Sequence, residues 1–315
     1  MPVLCVVASV LLQAGVYGFV SGTLDSGYSL ALSCAGFASA AVLFNAVLLV
    51  RRPRGAARGA ARGAAVPGRA GRAPGLMLAL NAVTAATFLS FYAGLTWVPA
   101  TAATGVETAV GPVVLALFGL AGHAPRASGR GWCAAGLLVL LGVAVAHRIT
   151  ADAGLGPGLV AGLALVVVAG CGAPVIALLS VELGRRGVDP VYVTAHRFHL
   201  TYLLGGVLLL AVGGPGGDWA GRLPGTMLTG VLAVTLPLYW LQSGLQRTDP
   251  MVATVLLTTL PGATYLAECA FHGSFDAVAL ALICVLVAVA VGYVRASARA
   301  ESGPAAARPP RTIRR

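Results

Sequence analysis

TWVPATAATGVETAVGPVVLALFGLAG, Thr96 to Gly122, is the stretch whose reading decides the fold. It is apolar over the length of a membrane-spanning helix, with glycines along one face and a single carboxylate, Glu107. That carboxylate stands about two and a half turns inside the helix start. A charge at the bilayer centre costs about 2.5–3.5 kcal/mol on insertion scales, so Glu107 is expected to face a cavity or a partner rather than lipid. A proton relay and a counter-ion for a cationic group are its functional readings. A hydrogen bond or pair with a neighbouring helix is the structural one.

The rest of the chain agrees with a membrane setting. Of 315 residues 58% are hydrophobic and only 10% are charged, against about 25% charged in a soluble domain. The apolar residues come in runs of about 20, the length of a spanning helix. The net charge of +11 does not argue for nucleic acid: all 21 basic residues are arginines, gathered between apolar runs and at the C-terminus. Such placement sets membrane topology. The six cysteines form no CxxC pair and read as small packing residues, so neither a metal nor a cofactor is expected.

Ten hydrophobic segments are predicted, at 3–21, 29–50, 75–95, 97–120, 131–147, 158–181, 192–213, 226–246, 250–271 and 276–294. With the N-terminus inside, segments 51–74, 121–130, 182–191, 247–249 and the tail after 294 hold seven, two, two, one and six arginines. The opposite loops hold only Arg148 and Arg222, so the positive-inside rule puts both termini in the cytoplasm of a multi-pass plasma-membrane protein. The Arg/Ala/Gly/Pro stretch 51–74 cannot bury a core and reads as a flexible linker, and the basic tail 295–315 as disordered.

The ten segments divide into five and five, 1–147 and 158–294. GLTWVPATAAT (Gly94 to Thr104) resembles GLQRTDPMVAT (Gly244 to Thr254), and each is followed by a second proline beside a glycine, Pro112 and Pro261. Because five is odd, the second copy enters from the opposite side, as in the inverted repeats of secondary transporters. Pro112 and Pro261 are the expected helix-break positions.

The stretches FYAGLTWVPATAATGVETAVGPVV (Phe91 to Val114), AHRFHLT (Ala195 to Thr201) and YWLQSGLQRTDPMVATVLLTTLPGATYLAE (Tyr239 to Glu268) carry a family likeness. In their order and placement the chain resembles an EamA-type permease of the drug/metabolite transporter superfamily. The resemblance covers nearly the whole chain. It implies ten helices as two inverted EamA repeats, a central cavity, and efflux of small metabolites. Two departures stand out. The family's arginine near the start of the second repeat helix is matched by Arg197 in the second half but by Gly36 in the first. The Gly-Glu pair that often ends the fourth repeat helix is absent.

Several polar residues are candidates for the solute path. Thr254, Thr258, Pro261, Tyr265, Glu268 and His272 recur every three or four residues and share one helical face. Such a stripe suits a polar path or helix–helix hydrogen bonding. Gln13, Asn81, Tyr239 and Gln242 are further candidates to line the cavity. Arg197, at the inner face, is expected to snorkel to the cytoplasmic surface or to bind a helix end. The two histidines flanking it lack the further ligands a metal site needs.

No Walker, GxSxG or HExxH motif is present, so ATP-driven transport and familiar hydrolase chemistry are unsupported and no enzyme is expected. The sequence reading is therefore a secondary transporter of a small-molecule substrate, with protons as the coupling ion to test. A membrane enzyme or lipid-handling protein and a non-transporting scaffold are the alternatives. A homodimer through the fifth and tenth helices stays open.

Overall fold

The computed structural model describes residues 2–62, 73–122, 127–151, 154, 156–214, 219–245, 256–273 and 275–301. Among these the chain is helical, with no strand. The helices are α1 (Pro2–Val20), α2 (Ser26–Arg62), α3 (Pro74–Gly94), α4 (Ala100–Leu120), α5 (Gly129–Thr150) and α6 (Pro157–Arg185). Then come α7 (Pro190–His196), α8 (His199–Ala211), α9 (Trp219–Gly230), a π-helical turn (Val231–Thr235), α10 (Leu236–Leu245), α11 (Leu260–His272) and α12 (Ala277–Glu301).

Among the described residues eight helices are long and apolar enough to cross a membrane: α1 to α6, the run Gly221–Gly244, and α12. Leu11, Leu78, Leu140 and Leu210 leave 60–80% of their surface uncovered. Such exposure is costly in water and neutral against lipid tails. The protein is an all-helical, multi-pass membrane protein.

Proline sets several of the helix starts. Pro74, Pro157, Pro190 and Pro261 occupy the first turns of α3, α6, α7 and α11. There the missing N–H has no intrahelical partner to lose. The Asp189 carboxylate caps α7 by accepting from the Val191 N–H at 2.7 Å.

Three segments differ from the sequence expectation. Segment 192–213 is two helices, broken at Arg197–Phe198. α2 runs on to Arg62 and α12 to Glu301, so the start of the 51–74 stretch and of the tail is helical. Alanine and arginine are good helix formers, and both stretches are rich in them. Residues 63–72, the tail after 301, and Gln246, Pro250 and Thr254 lie outside the described residues.

Packing interleaves early and late helices. α1 lies against α10 and α11, and α2 against α7, α8 and α9. α3 lies against α6 and α8, α4 against α5, α6 and α11, and α5 against α12. Small residues permit the closest crossings, as they must where lipid gives helices no hydrophobic reason to associate. A Cβ on Gly230 would stand 2.8 Å from Gly36 Cα, and one on Gly36 would stand 2.9 Å from Val234 Cγ2. Position 36 therefore has no room for the arginine that Arg197 supplies in the later segment.

The main core is aromatic. Tyr17 meets Phe91 and Tyr92 at ring-centroid distances of 5.2 and 6.3 Å, and Phe37 meets Tyr92 and Phe198 at 6.2 and 5.2 Å. A second core joins α5, α11 and α12 around Leu138, Tyr265, Ile283 and Leu286.

Candidate functional site

Three polar clusters lie where helices from the two ends of the chain meet. The first surrounds Glu107. Its backbone is pressed against α6, where a Cβ on Gly170 would fall 3.2 Å from both Glu107 Cα and its carbonyl oxygen. Its side chain, partly exposed, lies within electrostatic reach of Tyr17 on α1. Among the described residues the carboxylate makes no hydrogen bond and no ion pair; the ion pairs are Arg148–Asp276 and Arg186–Glu182. α4 runs unbroken past Pro112, while Pro261 sits in the first turn of α11.

The second cluster is built on Glu268, which is buried in α11. Each carboxylate oxygen accepts a hydroxyl, one from Ser21 at the end of α1 and one from Thr101 at the start of α4. Ser21 Oγ also accepts the Ala100 N–H at 2.9 Å, so it serves the free N-terminus of α4 as well. One turn on, His272 Nε2 lies 2.9 Å from the Gly18 carbonyl oxygen. Glu268 thus ties α11 to α1 and α4 together.

The predicted stripe on α11 divides between two neighbours. Glu268 and His272 face α1 and α4, whereas the Tyr265 hydroxyl donates to the Asp276 carbonyl at 2.7 Å and accepts the Asp276 N–H at 2.6 Å. Tyr265 therefore closes the α11–α12 turn. Thr258 lies just before α11, partly buried and engaged in a contact of its own. Beside the Glu268 cluster opens a cleft of about 580 Å³ between the ends of α1, α2, α9 and α11, with Asp25, Tyr28, Arg222, Thr226 and His272 in its wall.

The third cluster is the break between α7 and α8. Arg197 does not snorkel: it is 4% exposed, with Nη1 donating to Gln242 Oε1 at 3.1 Å and its guanidinium carbon 5.0 Å from the Phe198 ring centre. The reason is the backbone around it. Asn45 Nδ2 donates to the Ala195 carbonyl at 3.0 Å, and the Asn81 amide donates to the His196 carbonyl while accepting the Leu200 N–H at 3.2 Å. Two carbonyls that would continue the helix are held by α2 and α3 instead. The bend turns Arg197 inward toward α10.

The remaining candidates complete the picture on α10 and α1. Tyr239 stacks on Phe44 at 4.9 Å. Gln13 donates to Ser9 Oγ at 2.9 Å, and Ser9 donates to the Pro237 carbonyl at 2.7 Å, which joins α1 to α10 just past the π turn. Asn45, Ser9, Ser21 and Thr101 are not among the candidates that the sequence offered. These are short side chains whose partners lie far away along the chain.

Five chains of solved structures match this one. One, described only as the crystal structure of a protein, is 16% identical with a TM-score of 0.63, covering 96% of this chain and 99% of its own. That likeness extends to the fold. No family model and no curated protein matches the chain.

Proposed function

We propose that this chain is a secondary active transporter of the EamA type, exporting small organic metabolites or drugs across the plasma membrane by alternating access. The helix pairing carries this reading. With α1–α5 as one half and α6–α12 as the other, exchanging the halves maps α1 on α11 to α6 on α4, and α1 on α10 to α6 on α3. It maps α2 on α9 to α3 on α8, and the α2–α8 and α5–α12 pairs onto themselves. A two-fold relation of this sort is what ten spans in two inverted repeats require, with α7–α8 and α11 belonging to the two further spans.

A discontinuous helix at the junction supports the same reading, since transporters of this architecture place their binding groups at such breaks. The arginine distribution orients the molecule, with the α1–α2 turn and the cleft outside and both termini in the cytoplasm. Glu107, without a hydrogen bond or ion pair among the described residues and set on a membrane helix between α1 and α6, is the group this reading assigns to proton or cation coupling. Glu268 closes the outer ends of α1, α4 and α11. The test is flux in proteoliposomes with a panel of amino acids, purines and cationic drugs under an imposed proton gradient. Solute movement that Glu107→Gln abolishes supports the proposal; no flux of any class, with the protein correctly folded, contradicts it.

A further inference from the structure

The α7–α8 break carries more than a bend. Arg197 Nε, Gln242 Nε2 and Thr201 Oγ1 are all buried and have no hydrogen-bond partner among the described residues. Arg197 is 4% exposed, Gln242 1% and Thr201 0%. Gln242 gives its oxygen to Arg197, which leaves its amide N–H groups beside the guanidinium. Arg197 has no carboxylate partner among the described residues. Thr201 follows one turn later, in the first turn of α8, where the Leu200 N–H is taken by Asn81 Oδ1 and the Tyr202 N–H by the Phe198 carbonyl. Every unmet group here can donate, and the one formal charge is positive.

Unsatisfied buried donors are destabilising, the more so on a charged group, so a guanidinium buried without a carboxylate is costly unless an acceptor is supplied. Resting on the transporter reading above, we propose that the α7–α8 break binds the carboxylate of the transported solute, through Arg197 and Gln242 with the first turn of α8 behind them. A guanidinium offers the forked donors a carboxylate accepts. The start of a 13-residue helix adds the positive end of its dipole. A single cation balances a monoanion; a phosphate dianion would keep an unpaired charge. The Asn45 and Asn81 contacts hold the break from the opposite half, so the site lies beside the seam between the halves.

The experiment is thermal unfolding of the purified full-length protein in detergent, at fixed pH and ionic strength, titrated with acetate and propionate against acetamide and propionamide. Inorganic phosphate and chloride form the other arms. The carboxylates are expected to raise the unfolding temperature with concentration, and the isosteric amides to leave it unchanged. Arg197→Lys should weaken the response about tenfold, since an ammonium lacks the fork. Gln242→Met, which keeps the arginine and the side-chain volume, should weaken it by a similar factor. Equal responses to carboxylate and amide, a larger response to phosphate, or a full response in Gln242→Met would each overturn the site. Solute flux without any carboxylate response sinks this inference and leaves transport standing; a carboxylate response without flux does the reverse.

Discussion

The amide of Asn81 stands between His196 and Leu200, donating to the carbonyl of one and accepting the N–H of the other. In an unbroken helix those two groups would bond to each other. Asn81→Ala removes both contacts, whereas Asn45→Ala removes one, to the Ala195 carbonyl. Each buried polar group left unmet costs about 1–3 kcal/mol. Denaturant unfolding in detergent should therefore show Asn81→Ala as the more destabilised variant, and equal stabilities would count against the splint.

Glu268 accepts from Ser21 and Thr101 on separate helices. Glu268→Ala strands both hydroxyls and should lower stability by about 2 kcal/mol or more. Glu268→Gln keeps an acceptor for one hydroxyl and offers an N–H to the other, so it should cost about half as much. The ordering of the two variants in thermal unfolding checks the contact; a wild-type Glu268→Ala dissolves it.

Gly230→Ala places a Cβ 2.8 Å from both Cα and N of Gly36, a clash with backbone that no rotamer relieves. Gly15→Ala, on α1, meets nothing within 4 Å. The first should lose about 1–3 kcal/mol or fail to assemble, and the second should be neutral or slightly stabilising because alanine favours helix. Expression level and monodispersity of the pair in size-exclusion chromatography provide the readout.

Arg148 Nε lies 2.6 Å from Asp276 Oδ2, joining the last turn of α5 to the residue just before α12. Desolvation pushes the Asp276 carboxyl up, but the N–H groups of Ala279 and Val278 and the Arg148 guanidinium together outweigh it and hold the group below its usual value. The folded state thus binds the proton less readily than the unfolded chain. Its contribution to stability is present above the unfolded value of about 3.9 and fades as pH falls through the lowered folded one. Asp276→Asn should flatten that acid limb in unfolding scans between about pH 5 and 2. An unchanged limb would show that the pair contributes nothing.

Much of the bundle was legible in the sequence because apolar runs report spans directly. The segments at 3–21 and 97–120 became Pro2–Val20 and Ala100–Leu120. The break at Arg197–Phe198 was not legible: no proline or glycine marks it, and the groups that hold it come from Asn45 and Asn81, more than a hundred residues away. Periodicity placed Tyr265 and Glu268 on one face of α11, yet that face is shared between α12 and the α1–α4 pair. A three-residue step turns far enough around the axis to change partners. The proline rule pointed to Pro112, where α4 stays continuous, while the α9–α10 run takes its π turn just before Pro237. A π turn of this kind is a known way for a helix to absorb an irregular hydrogen-bond ladder.

Under the proposed transport, Glu107 faces a path open alternately to the two sides of the membrane. Glu107→Cys, in a background with the six native cysteines replaced, tests it in proteoliposomes of known orientation with a membrane-impermeant thiol reagent. The expected result is labelling of residue 107 from either side, with transported solute shifting the balance between them. Labelling from neither side under any condition would contradict an alternating path at Glu107.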